Sequence, residues 1–144
     1  MSRALPTSLL MSIASRHAET RIIEAVRAAG FDGLTVAQAR LMAGMEEGGS
    51  RISTLADRAQ ITKQTATVLV DRLEDAGYVV RAADPQDGRV RLVKFTDKAL
   101  VMIPAARAEE ERIECEWSEC LGDGEFAALK TALEKLRTIT DRSA

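Results

Sequence analysis

The stretch from Ile52 to Ala99 constrains the chain more than any other. In it a short helix, a turn, a second helix and a charged hairpin follow one another with almost no spare residues. Ser53 is placed to cap a helix carrying Leu55, Ala56 and Ala59, and Gln60 and Ile61 supply the turn. Thr62 offers a hydroxyl to the free N–H groups of a second helix, in which Ala66, Leu69, Val70 and Leu73 recur at helical spacing. Gly77 ends that helix, because glycine takes the left-handed cap conformation without a Cβ penalty. Tyr78-Val79-Val80-Arg81 then reads as strand and Asp84-Pro85-Gln86-Asp87-Gly88-Arg89 as a tight charged turn. Val90 to Phe95 reads as a return strand in which Arg91 and Lys94 alternate with apolar residues. Together these elements make a helix-turn-helix that feeds a two-stranded wing, to which Arg51-Ile52 is expected to add a short third strand.

The flanks are helical. Thr7 to Ala29 reads as one long helix ended by Gly30, with Ala14, Ala18, Ile22, Ala25 and Ala29 as its stripe and Leu9, Leu10 and Ile13 widening the apolar surface at its start. So wide an apolar circumference implies more than one neighbour. Thr35-Val36-Ala37-Gln38 has capping-box spacing and predicts a helix carrying Leu41, Met42 and Met45, followed by a flexible loop at 46–50. Thr96 is placed to cap a helix in which Pro104 predicts a kink or short break. Beyond it the glutamates at 109, 110, 111, 114, 116 and 119 predict a solvated face. Gly122-Asp123-Gly124 separates a last helix, on which Phe126, Leu129, Leu133, Leu136 and Ile139 form a narrow stripe that calls for a partner.

Charge placement narrows the function. The net charge of −2 argues against a nucleic-acid partner only if the charge is evenly spread, and it is not. Residues 1–50 balance, with five basic and five acidic groups; residues 51–98 carry nine and seven; residues 99–144 carry six and ten. The middle third alone is basic, and Lys63, Arg89, Arg91 and Lys94 lie in its second helix and wing. Aromatic residues make up only 3%, which suits closely packed helices. The N-terminus has no signal pattern and no apolar run approaches a membrane span, so a cytoplasmic protein with no membrane partner is expected. The expected class is mainly α (α+β): about six helices and a two- to three-stranded wing in a single domain spanning 1–144.

Three runs carry a family resemblance. Leu73-x-x-x-Gly77-Tyr78-Val79-x-Arg81, Asp84-Pro85-x-Asp87-x-Arg89 and Val93-x-x-Thr96-Asp97-Lys98 resemble the recognition helix, wing and following helix start of the MarR family of bacterial transcription regulators. Ala99 departs from the family's usual glycine, so a more continuously helical junction is expected there. The resemblance implies a homodimeric, ligand-responsive DNA-binding regulator, more often a repressor. Residues 35–98 would form the DNA-reading core, and 1–34 and 99–144 the dimerisation helices. It implies that helix 63–76 enters the major groove of a pseudo-palindromic double-stranded operator and that the wing at 84–91 follows the minor groove, with Asp87 fixing the wing and Arg89 lining the groove. Ser53, Thr62, Lys63, Gln64, Thr65, Thr67, Arg72, Arg81, Asp87, Arg89 and Arg91 are the candidate DNA-contacting residues. In the resembled family small effectors, often aromatic acids, bind between the dimer layer and the core, which makes His17 or Arg21 the candidate contact to an aromatic or anionic effector.

Other functions have less to stand on. His17 is the single histidine and has no nucleophile at triad spacing, so an enzyme is not expected. Cys115 and Cys120 lie roughly 140° apart around one helix and cannot bridge each other there. With no C-x-x-C pair, neither a metal site nor a cofactor is expected, and two reduced thiols are. A winged-helix module that binds proteins only and a thiol-based redox-sensing regulator remain the alternatives.

Overall fold

The computed structural model describes residues 3–143. Its elements run α1 (Thr7–Ala28), α2 (Val36–Ala43), α3 (Ile52–Ala59), α4 (Lys63–Asp75), β1 (Val79–Ala83), β2 (Arg91–Phe95), α5 (Asp97–Leu121) and α6 (Asp123–Thr140). The six helices and the antiparallel hairpin are those the sequence leads one to expect.

The core lies where α2, α3 and α4 meet the root of the wing. Leu41, Leu55, Val70, Leu73, Val79 and Val93 are its largest fully buried side chains. Each helix presents them because local chemistry fixes its start. Thr35 Oγ1 accepts from Gln38 N at 3.1 Å while Gln38 Oε1 accepts from Thr35 N at 3.0 Å, a complete capping box. Thr62 Oγ1 accepts from Thr65 N at 3.1 Å to start α4, and Gly77, at φ +83°, ends it. The hairpin pairs Val79 with Phe95, Arg81 with Val93 and Ala83 with Arg91.

Three local expectations give way to backbone commitments. Ser50 exchanges both backbone hydrogen bonds with Val93, at 3.0 and 2.8 Å, so the third strand is this single bridge and not Arg51-Ile52. With Ser50 paired, the chain turns into helix one residue later. Arg51 sits at the cap without a side-chain bond, and Ser53 falls inside the first turn instead of capping it. The loop at 46–50 is likewise a defined turn, closed by Gly49 N on Glu46 O at 3.0 Å and by Ser50 Oγ accepting from Glu46 N at 2.9 Å. Gly49 is required there: its φ is +101°, and a Cβ would lie 2.9 Å from Lys94 Cγ.

The junction after β2 is continuous. Thr96 Oγ1 donates to Gly77 O at 2.5 Å and accepts from Ala99 N, and Lys98 Nζ donates to Ala76 O at 2.7 Å from above the Tyr78 ring. Ala99, fully buried, sits in the first turn of α5 as the substitution for glycine implies. Pro104 does not break α5, which runs unbroken from Asp97 to Leu121. Met102 and Ile113, buried on either side of the proline, hold the helix against its neighbours. On α1 the inward residues are Ile23 and Val26, not the full expected alanine stripe: Ala14 and Ala29 are exposed, and branched side chains bury more apolar area than alanines do.

Ion pairs tie the outer helices to this core. Arg40 grips Glu19 at 2.7 and 2.8 Å, joining α2 to α1. Arg21 pairs with Glu109 at 2.7 Å and also with Glu116, joining α1 to α5. Glu109 is therefore buried, unlike the solvated glutamates around it, and it also takes Arg112. Arg58 of α3 donates to Gly44 O at 2.8 Å, Glu46 at 2.8 Å and Asp141, just past α6, at 3.2 Å. Hydrogen bonds from Arg40 and from Arg21 hold the carboxyls of Glu19 and Glu109 below the ordinary range, and the Ser143 backbone N–H does the same for Asp141.

Leu55→Ala should destabilise the protein by about 2–5 kcal/mol and Thr62→Ala by about 1 kcal/mol, whereas Ser53→Ala should stay within about 0.5 kcal/mol. Urea unfolding at one fixed protein concentration measures all three. Because the three carboxyls titrate lower when folded, their contribution is complete at neutral pH and should be lost as the pH falls below about 4. Glu109→Gln should flatten that acid limb in the same unfolding experiment.

Candidate nucleic-acid interface

The start of α4 presents a polar end to solvent because Ala66, Leu69, Val70 and Leu73 take the opposite side into the core. The turn before it is rigid. Gln60 adopts the left-handed conformation at φ 56° and donates from Nε2 to Asp57 O at 2.7 Å. Thr62 and Thr65 join their hydroxyls at 2.9 Å, and Thr67, half-buried, donates to Lys63 O at 2.9 Å. These three threonines are spent on shaping the helix. Lys63, Gln64 and Arg72 are exposed, as is Ser53, and none makes a side-chain hydrogen bond or ion pair among the described residues.

The wing tip is built by its aspartates. Asp84 Oδ1 accepts from Gln86 N at 2.9 Å and Asp87 Oδ1 accepts from Arg89 N at 3.1 Å, two local turns closed across the base by Asp84 N on Val90 O at 2.8 Å. Asp87 therefore fixes the backbone that carries Arg89. The guanidinium groups of Arg89 and Arg91 are exposed and unpaired among the described residues. Arg81 differs. It is half-buried and bound to Asp71 at 2.6 Å and Glu74 at 2.8 Å, so it straps β1 to α4 and neutralises two acids of that helix.

A groove of ≈ 990 Å³ opens beside α1, between the core and the outer helices. Met42, Met45, Phe95 and Met102 line it from the core side and α5, while Leu10 and Met11 of α1 and Leu129 and Leu133 of α6 reach it from the other. Neither His17 nor Arg21 lines this groove: His17 is exposed on another face of α1, and Arg21 is committed to Glu109 and Glu116. The charged groups that do line it are the paired Glu19 and Arg40, with Arg107 and Glu110 of α5. Arg107 has no ion-pair partner among the described residues. Its spacing from Ile103 and Glu110, which share the groove, is the helical signal that could have found it.

Cys115 and Cys120 are both exposed and free. Among the described residues no group of three His, Cys, Asp or Glu side chains is placed to hold a metal, and no helix is long and apolar enough to cross a membrane.

Comparison with known proteins agrees with this geometry. Residues 32–90 match the MarR family. An HTH-type transcriptional regulator of Mycobacterium tuberculosis is 29% identical over 97 residues, which cover 67% of this chain and 68% of the relative. CouR of Rhodococcus jostii, solved with p-coumaroyl-CoA bound, superposes with a TM-score of 0.72 at 22% identity over 99% of both chains. NadR, solved in complex with 4-hydroxyphenylacetate, gives 0.73 at 23% identity over 94% of this chain and 95% of its own.

The two arginine environments of the wing predict different losses. Arg89→Ala should lower the slope of log K against log salt for DNA binding by about 0.9 per protomer. Arg81→Ala should change it by well under half of that, since its charge is already balanced. A salt titration on random duplex DNA measures both.

Proposed function

We propose that this chain, whose residues 32–90 match the MarR family, is a transcriptional regulator of that family that works in the cytoplasm as a ligand-responsive homodimer, a repressor that occupies a pseudo-palindromic operator until an effector releases it. The observation that carries this reading is the division of the surface. Lys63, Gln64, Arg72, Arg89 and Arg91, unpaired among the described residues, gather on α4 and the wing, while the longest runs of exposed large apolar side chains lie on α1 and α6. Leu9, Leu10 and Ile13 of α1 and Leu129, Leu133, Leu136 and Ile139 of α6 are all exposed, and no residue of α6 is buried. A second copy covers such stripes. Dimerisation then sets two α4 helices about 34 Å apart, one turn of B-DNA, so that each enters a major groove with its wing along the adjacent minor groove.

The groove supplies the means of control. It is bounded by the core on one side and by the dimer-forming helices on the other, so a molecule wedged there changes the separation of the two reading heads. Its walls are mostly apolar, which suits an aromatic ring, and the unpaired Arg107 suits an anionic group on that ring. Arg107 thus takes the role that sequence reasoning gave to His17 and Arg21. The ligands of the similar structures, 4-hydroxyphenylacetate and p-coumaroyl-CoA, both join an aromatic ring to an acidic or acyl group, and they are the first probes to try.

Replacing Leu133 and Leu136 together by Glu should convert a micromolar dimer to monomer in sedimentation equilibrium and lower operator affinity at least about a hundredfold, since unpaired charges cannot be buried in the interface. A wild-type monomer that binds its operator with full affinity contradicts the dimer reading. In a release assay with an arylcarboxylate that dissociates the operator complex, Arg107→Ala should raise the concentration needed about tenfold or more, the loss expected of a charge-assisted contact.

A further inference from the structure

We infer that Val68 is a base-reading residue, recognising the 5-methyl group of one thymine in each half of the operator. The inference rests on the proposed seating of α4 in the major groove and says what that helix reads there. With Ala66, Leu69, Val70 and Leu73 buried, the roughly 100° step per residue puts Gln64, Val68 and Asp71 along the opposite, outward face. Gln64 is free to bond a base edge. Asp71 is held and neutralised by Arg81 at 2.6 Å. Between them stands Val68, 45% exposed and the one large apolar side chain of α4 that is left in solvent.

Neither stability nor protein association accounts for a valine there. A β-branched residue is a weaker helix former than alanine, and this one is outside the buried core cluster. Its neighbours one turn away are Gln64, Thr65, Asp71 and Arg72, so along α4 it is an isolated apolar spot and not the stripe that a helical protein anchor presents. A major groove offers the matching object: thymine's methyl is the apolar group on a base edge otherwise made of donors and acceptors. Gln64 at i−4 lies about 6 Å away along the axis, or roughly two base steps, and glutamine pairs bidentately with adenine. The outward face of α4 is therefore shaped for neighbouring adenine and thymine.

The test uses the full-length protein and an operator that it selects from random duplex DNA. Each thymine is then replaced singly by deoxyuridine, which removes the methyl and nothing else. One position per half-site should lose about fourfold in affinity, the equivalent of one buried methyl. Val68→Ala should bind the thymine and uracil operators equally, with an unchanged or higher melting temperature, while Gln64→Ala should keep the methyl dependence. If no thymine is methyl-sensitive, or if Val68→Ala remains equally sensitive, the role of Val68 is overturned although the operator stands. If no sequence is enriched at all, it is the DNA-reading function of α4 that fails, and Val68 with it.

Discussion

Everything that faces outward from the core of α2, α3 and α4 depends on how α4 is seated. Ala66, Val70 and Leu73 keep no exposed surface, and they meet Leu41 and Leu55, which keep none either. A helix clamped along one side in this way has no freedom to roll, because rolling would open voids in a close-packed interior. The outward direction of Gln64, Val68 and Asp71 is thus set by apolar contacts on the far side of the helix. The end of α4 is fixed as firmly. The Gly77 carbonyl takes the Thr96 hydroxyl and the Ala76 carbonyl takes Lys98, so α4, the wing and the start of α5 share one fastening.

That fastening also joins the wing to the groove, because α5 lines it. Helix α5 begins at the wing and ends among the outer helices, and α1 lies along it through the Arg21 pairs to Glu109 and Glu116. At the other end Arg58 ties α3 to Asp141, just beyond α6. The core is held to the outer helices by the Arg40–Glu19 and Arg58–Asp141 pairs and by apolar contact, since Val26 of α1 and Ala99 and Met102 of α5 belong to the same buried cluster as Leu41 and Leu55.

Features that depend on a few consecutive residues were legible in the sequence. The caps at Thr35, Thr62 and Thr96, the stop at Gly77 and the Asp87-x-Arg89 turn each need two or three side chains and a known backbone geometry, and each is found. What was not legible depends on distant partners. Ser53 loses its capping role because Ser50 pairs with Val93, and Glu109 leaves its solvated face because Arg21, 88 residues away, reaches it. Arg81 reads as a spare cation until Asp71 and Glu74 are seen beside it. The groove is the same kind of case. Its lining is drawn from four helices and a strand, so the spacing of Arg107 from Ile103 and Glu110 puts them on one face of α5 without showing what that face meets.

The central claim is that two copies of α4, held at a fixed separation, read one two-fold operator. Hydroxyl-radical footprinting of the full-length protein on a selected operator tests it most directly, because cleavage reports minor-groove access at single-nucleotide resolution. The account predicts protection symmetric about a dyad, with wing contacts in the minor groove outside two major-groove half-sites about 34 Å apart. A single, unsymmetric patch of protection that covers only one half-site would contradict it.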